Sequence, residues 1–450
     1  LTIDQYLQFV AERELRIGVE ENRAAGGSAV IMDPNTGEIL AMANYPTFNP
    51  NIFGRVSQEA RRNRAVQDLY EPGSTFKIVT ASAALEEHVL SPDDLIDCSP
   101  GRITFGSRVI RDTHQYGTLS FTDVLVKSSN VGAIKAGMKL GPERLGRYVT
   151  RFGFGQALAP DFRGENAGIV WSPERLDPSA LASVSMGYQV GVTAVQMASA
   201  VSSVANGGTL YEPRIIRAVT KDGKRAEVAH KALRRTISEN TAAQLTTIME
   251  QVVERGTGKT AQIPGYTIAG KTGTAQKLVD RRYSRSEYNA SFVGFLPSRK
   301  PALTIIVVID SPHANGYYGG TVAAPIFKRI AAEALRRLGI GPTINPAPPV
   351  LIARNEPDDM LATPVSAPGT LASPAAEAAL PDEDVMPDLR GLSARQALRT
   401  LTKLGLTARM TGDGVVLDQA PAAGSPLGDS DAATLTLGRR PLTVSGGQPQ

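Results

Sequence analysis

Three clusters of side chains in this sequence could do chemistry. In "EPGSTFK", residues 71 to 77, Ser74 stands three residues before Lys77 at the start of an apolar-periodic helix. Helix positions i and i+3 share a face, so the hydroxyl is brought near the amine. Burial disfavours the charged form of a lysine, which then can accept the serine proton. A helix N-terminus also favours developing negative charge by roughly 0.3–1 kcal/mol. The plainer reading has Ser74 as a helix cap and Lys77 as a solvated helix residue. In "KSSNVGAIKAG", residues 127 to 137, Ser128 and Asn130 precede a second helix. A serine there can relay a proton, and the Asn130 amide can both donate and accept. In "IAGKTGTAQ", residues 268 to 276, Lys271 supplies a positive charge on or just after a strand. Thr272 and Thr274 supply hydroxyls, and Gly273 permits close approach of another group. Such a strand edge can hold an extended peptide through main-chain hydrogen bonds.

Two lookalikes are set aside. Ser238-Glu239-Asn240 repeats the Ser-x-Asn spacing but opens an amphipathic helix, so Ser238 reads as a cap. "GTGKT" at 256 to 260 resembles a phosphate-binding loop, yet the position that needs a glycine is Val253.

The positioning elements follow from periodicity and turn chemistry. Residues 2 to 24 read as a helix, with Thr2 as cap and Gln5 completing a capping box. Runs 28–33 and 38–44 flank the turn "DPNTG" and read as a β-hairpin. Residues 55 to 260 read as mostly helical. Strands are expected at 266–270, 290–297 and 302–311, and a final helix at about 322–338. Two early strands and three late ones imply an α/β chain of the α+β type. One five-stranded antiparallel sheet carries flanking helices and a helical lobe. Residues 341 to 384 hold 9 of the 30 prolines and read as an extended linker. A small α+β domain is expected at 385–438, with Ser393 capping a helix that ends at Gly405. Residues 439–450 read as a disordered tail.

Composition narrows the classes. The chain has 450 residues, 42 % apolar and 20 % charged, with net charge +4 and no basic run that suggests nucleic acid. Cys98 is the single cysteine, so no disulfide framework is possible. His88, His114, His230 and His313 lack metal-ligand spacing, and neither a metal nor a cofactor is expected. No apolar run approaches the ~20 residues of a membrane span; "LTIIVVI" at 303 to 309 reads as a buried strand. The chain begins with Leu1, and it reads as an excised fragment whose targeting segment would lie upstream.

The order Ser-x-x-Lys, Ser-x-Asn, Lys-Thr-Gly reproduces the motif set of penicillin-binding proteins and serine β-lactamases. The middle motif is Ser128-Ser129-Asn130, not Ser-Asp-Asn, which resembles a transpeptidase more than a class A β-lactamase. From about residue 1 to 340 the chain resembles the transpeptidase domain of a class B penicillin-binding protein. "RNRAVQDLYEPGSTFK" looks like the division-associated branch, and residues 385 to 437 resemble one PASTA module. The resemblance implies the fold of penicillin-binding proteins and serine β-lactamases. It also implies a peptidoglycan D,D-transpeptidase acting in septal wall synthesis and trapped covalently by β-lactams. Ser74 would attack the penultimate D-Ala carbonyl of a stem peptide ending in D-Ala-D-Ala, with Lys77 as base. Ser128 would pass the proton to the leaving amine, with Lys271 tuning it. Asn130 would hold the donor amide, and Thr272 and Thr274 the carboxylate. The N–H groups of Ser74 and Thr274 would form an oxyanion hole, where one donor is worth on the order of 3 kcal/mol. By the same resemblance, the chain would work at the extracytoplasmic face of the bacterial cytoplasmic membrane. An upstream helix would anchor it among division-complex membrane proteins. Three alternatives stand beside this reading: a D,D-carboxypeptidase, a β-lactamase of the same fold, and a non-catalytic penicillin-recognising receptor or division scaffold.

Overall fold

The computed structural model describes residues 1–344, 385–404, 406–412, 415–426 and 432–438. The chain divides into two compact units, Leu1–Pro346 and Ala347–Gln450. Most of the expected linker, from residue 345, and the expected tail from 439 lie outside the described residues.

The first unit is built on an antiparallel sheet of five strands. These are β1 (Gly26–Met32), β2 (Ile39–Tyr45), β3 (Ala269–Val279), β4 (Arg282–Leu296) and β5 (Leu303–Asp310), in the spatial order β3-β4-β5-β1-β2. Two core clusters divide β1 and β5 residue by residue. Ala29, Ile31, Ile305, Val307 and Ile309 face one core; Val30, Met32, Ile306 and Val308 face the other. This is the period-2 alternation of a strand buried on both faces, and it explains the unbroken apolar runs. Helices α1 (Gln5–Glu21) and α6 (Gly319–Arg337) cover the first face, and α4 (Ala194–Ala205) packs on the second. On the same side lie α2 (Lys77–Glu86), α3 (Asn130–Leu140) and α5 (Glu239–Glu254), the last packed directly on β3; this helical lobe carries two of the three motifs.

Several boundaries differ from the sequence expectation. The cap of α1 is Asp4, whose carboxylate accepts from the N–H groups of Tyr6 and Leu7. Thr2 instead donates its hydroxyl to the Ile39 carbonyl and pins the chain start to the sheet. Strand β3 begins at Ala269, so the Lys-Thr-Gly motif lies inside it, and β4 begins eight residues earlier than expected. The stretch 55–260 also contains short two-stranded ribbons, such as Arg102–Phe105 with Arg108–Arg111. Strands of three or four residues leave too short a window for periodicity to register. Ser238 does cap α5, accepting from Thr241 N at 3.2 Å.

The second unit has its own core of Met386, Leu389, Ala397, Leu401, Val416, Ala433 and Leu435. Helix α7 (Ala394–Lys403) lies with strands β6 (Thr407–Thr411), β7 (Val415–Ala420) and β8 (Ala432–Gly438). The sheet order is β6-β8-β7, with β6 parallel and β7 antiparallel to β8. Ser393 caps α7 in a capping box with Gln396, and the helix ends at Lys403 rather than at residue 405.

Candidate active site

Ser74 does not cap a helix. It lies in a 3-10 turn, Gly73–Phe76, that runs directly into α2. Side chains at i and i+3 eclipse in such a turn, so Ser74 and Lys77 share one side more closely than α-helical spacing would give. The turn is held by the N–H of Gly73, which donates to Gly187 O at 3.0 Å. Gly73 has φ +54°, a left-handed conformation in which a side chain is strained. A Cβ there would also come within 3.0 Å of Thr274 O. The Ser74 N–H falls in the first turn, where helical geometry offers it no acceptor. The Ser74 hydroxyl has no hydrogen-bond partner among the described residues and lines a cavity.

Lys77 and Lys271 are 1 % and 0 % exposed. The Lys77 ammonium position donates to Ser128 O at 2.7 Å and to Asn130 Oδ1 at 2.8 Å, with Ser128 Oγ at 3.5 Å. Lys271 Nζ donates to Ser128 Oγ at 2.9 Å. Two amines therefore converge on one serine hydroxyl. Burial pulls the Lys77 pKa down to about 7, and the negative charge of Asp112 partly opposes that fall. Burial, and then the charge of Lys77, hold Lys271 well below its ordinary value. A neutral amine has two N–H donors and one lone pair. The two carbonyl oxygens at Lys77 use both donors and leave the lone pair for a hydroxyl.

Ser128 itself has φ +58°, an uncommon left-handed conformation for a residue with a side chain. Its neighbours impose that conformation. Ser129, not Ser128, caps α3, accepting from Gly132 N at 3.0 Å. Asp112 accepts from Ser129 Oγ at 2.7 Å, from Val131 N at 3.0 Å and from the Asn130 N–H. Asn130 Nδ2 donates to Arg111 O at 2.9 Å, so one of its two amide hydrogens stays free. Asp112 carries no sequence pattern that links it to residues 128–130; only the ribbon 102–111 brings it there.

Strand alternation orients the third motif. Lys271 points back to Ser128, while Thr272 and Thr274 line the cavity. Thr272 Oγ1 lies 2.7 Å from Thr257 Oγ1, and Thr274 Oγ1 accepts from Gly319 N at 3.0 Å. Gly273 lets β3 lie against the turn that carries Ser74. A Cβ there would meet Pro72 O at 2.8 Å and Thr75 Cγ2 at 2.9 Å. Strand β3 is a sheet edge. On its unpaired side the Gln276 N–H donates to Tyr188 Oη at 3.3 Å. The pairing with β4 is regular from Ala269 through Gln276, so the N–H and C=O of Thr274, two residues earlier, point to that same side.

Ser74, Ser128, Asn130, Thr272, Thr274 and Tyr188 thus line one cavity of about 560 Å³. All eight residues singled out from the sequence converge on it or lie behind it. A second cavity of about 640 Å³, between Arg62, Arg64, Tyr70 and Asp310, contains none of them. Glu71 stands beside the site as a further residue with no sequence signal. It accepts from Gln189 N at 2.6 Å and Tyr283 Oη at 3.0 Å, and burial raises its pKa. Among the described residues no group of His, Cys, Asp and Glu could hold a metal ion.

This arrangement can be set beside known proteins. Residues 27–332 match the penicillin binding protein transpeptidase domain, and residues 384–439 match the PASTA domain. The chain is 39 % identical over 354 residues to stage V sporulation protein D of Bacillus subtilis, covering 77 % of this chain and 54 % of that protein. It is 37 % identical over 345 residues to a probable peptidoglycan D,D-transpeptidase, PenA, of Neisseria meningitidis, covering 76 % and 57 %. The chain thus spans little more than half the length of these relatives. The apo structure of the transpeptidase domain of Burkholderia pseudomallei penicillin-binding protein 3 superposes with a TM-score of 0.68. It is 34 % identical, covering 76 % of this chain and 98 % of that one. A serine at a turn, two buried lysines on a second serine and an edge strand across the cavity, with these matches, place the sequence in one family: the chain belongs to the penicillin-binding protein transpeptidases, and is a class B member with a C-terminal PASTA domain.

Proposed function

We propose that this chain is the catalytic part of a peptidoglycan D,D-transpeptidase. The observation that carries the reading is the pair of buried lysines on Ser128, behind a nucleophile that faces the cavity. The Ser74 hydroxyl attacks the carbonyl of the penultimate D-Ala, and neutral Lys77 takes its proton. The N–H groups of Ser74 and Thr274 receive the oxyanion. Ser128, bridged to Lys271, hands a proton to the leaving D-Ala nitrogen. The free Nδ2 hydrogen of Asn130 holds a carbonyl of the donor, and the Thr272 and Thr274 hydroxyls hold its carboxylate. The amine of a second stem peptide then attacks the acyl-enzyme. A β-lactam follows the first half of this sequence and stays attached.

Labelling with a fluorescent penicillin tests the nucleophile. Covalent label is expected on the wild type and none on Ser74→Ala; equal labelling of both would overturn the assignment. Adding a D-amino acid during turnover of a stem peptide separates amine acceptance from hydrolysis, and so from a carboxypeptidase. Rapid loss of the penicillin label would mark a β-lactamase. A scaffold would tolerate Ser74→Ala in complementation.

The proposed organisation is a catalytic domain over 1–340, a linker over 341–384, a PASTA domain over 385–438 and a tail over 439–450. The matches to 27–332 and 384–439 support it. A role in septal wall synthesis, beside division-complex membrane proteins at the extracytoplasmic membrane face, is proposed from the family resemblance. Among the described residues no helix is long and apolar enough to cross a membrane.

A further inference from the structure

The unpaired edge of β3 offers a donor peptide a row of outward backbone groups, and one of them is already taken. The N–H and C=O of Thr274 point to that edge beside Ser74. The next outward N–H, that of Gln276, donates instead to the hydroxyl of Tyr188 at 3.3 Å. Antiparallel pairing fixes what each group would meet. If the reacting D-Ala places its carbonyl on Thr274 N, its own N–H returns to Thr274 O. The donor residue two places before it then faces Gln276, carbonyl to N–H. The Tyr188 hydroxyl stands where that carbonyl belongs.

Tyr188 is held there from two sides. Its ring packs edge-on to Tyr283, with centroids 5.4 Å apart at 82°. The Tyr283 hydroxyl donates to Glu71 Oε1, which also accepts the N–H of Gln189. Gln189 is left-handed at φ +58°, so Glu71 fixes the turn that aims Tyr188. At 3.3 Å the bond to Gln276 is longer than the usual range for N–H···O, and a peptide carbonyl can replace it with a better one. No described group accepts the hydroxyl proton of Tyr188, so the bond from Gln276 is the one hydrogen bond of the phenol among the described residues.

We infer that Tyr188 is a length-selecting residue: its hydroxyl mimics a donor carbonyl on the edge strand, and a long acyl donor must displace it where a short one need not. This rests on the transpeptidase reading above and adds to it a register for the donor. It predicts that removing the hydroxyl improves long donors relative to short ones.

The test uses two D-alanyl thioester donors, one N-acetylated and one carrying two further residues, with the full chain and Tyr188→Phe. The ratio of acylation rates, long over short, is expected to rise about three- to tenfold in Tyr188→Phe, the worth of one exchanged neutral hydrogen bond. An unchanged ratio overturns the inference. A fall in the ratio also overturns it, because the hydroxyl would then be binding the long donor. Amide exchange of Gln276 in the Ser74→Ala background gives a second reading. Exchange should quicken with Tyr188→Phe and slow again with the long donor alone; protection by both donors equally would sink the register. Penicillin labelling of wild type and Tyr188→Phe is the control. Its absence from both would count against the transpeptidase reading itself, whereas intact labelling with an unchanged ratio would remove only the role of Tyr188.

Discussion

Lys77 is a buried lysine whose shifted pKa falls where function can use it. A lysine with a pKa of about 7 is half neutral at physiological pH, and the neutral half is the form proposed as the base. The acylation rate should therefore rise through an acid limb with a midpoint near pH 7; stopped-flow acylation by a penicillin across pH 5 to 9 reads it. The same shift acts on stability with a definite sign. The folded pKa is lowered, so between about 7 and the ordinary lysine value the unfolded chain binds more protons than the folded one. Stability contributed by this group rises with pH across that window, and its full cost is present below pH 7. Lys77→Met keeps an unbranched, flexible side chain, one atom shorter, and removes the charge. It should raise Tm at pH 6 more than at pH 9, while acylation falls on the order of 10²- to 10⁴-fold. A Tm gain independent of pH would assign the effect to packing alone.

At the scale of elements, the site is the meeting of a 3-10 turn, a capped helix start and a strand edge, each shaped locally. Glycine sets the spacing between turn and strand. Gly273→Ala would push a methyl against Ser291 Oγ, Pro72 O and Thr75 Cγ2, and Pro72 O is backbone that cannot turn aside. The strand must retreat from Ser74, which moves the Thr274 N–H away from the place proposed for the oxyanion. Acylation should drop at least about 100-fold, the scale of losing one oxyanion donor. Far-UV circular dichroism should stay close to that of the wild type. Retained acylation would mean that the Thr274 N–H is not part of the oxyanion site.

At the scale of the whole molecule, each unit owns its core. The apolar cluster around Met386, Leu389 and Leu435 lies wholly within the second unit, and the clusters that bury the sheet and the lobe lie wholly within the first. Residues 1–344 alone should therefore fold and should acylate with penicillin within about twofold of the full chain, since no described residue lining the cavity comes from beyond 321. A large loss of acylation on truncation would show that the second unit supports the catalytic one. Such a result would also assign the PASTA domain a part in the function of the first unit.

The sequence by itself determined the reactive residue types, their order and the apolar strands that frame them. These are local properties: the spacing of Ser74 and Lys77 along one turn, the hairpin chemistry of "DPNTG", the largely apolar runs at β1 and β5. It also carried the division into a large domain and a small one, through the proline-rich stretch between them. Only the tertiary structure decided the protonation state of Lys77, because burial depends on residues far apart in the chain. It alone brought Asp112 to the start of α3, through a ribbon too short to leave a periodic signal. It moved the cap of α1 from Thr2 to Asp4, since Thr2 finds a better acceptor in a strand 37 residues away. And it set Tyr188 on the edge of β3, a contact across 88 positions between a side chain and a backbone N–H, for which no sequence pattern exists.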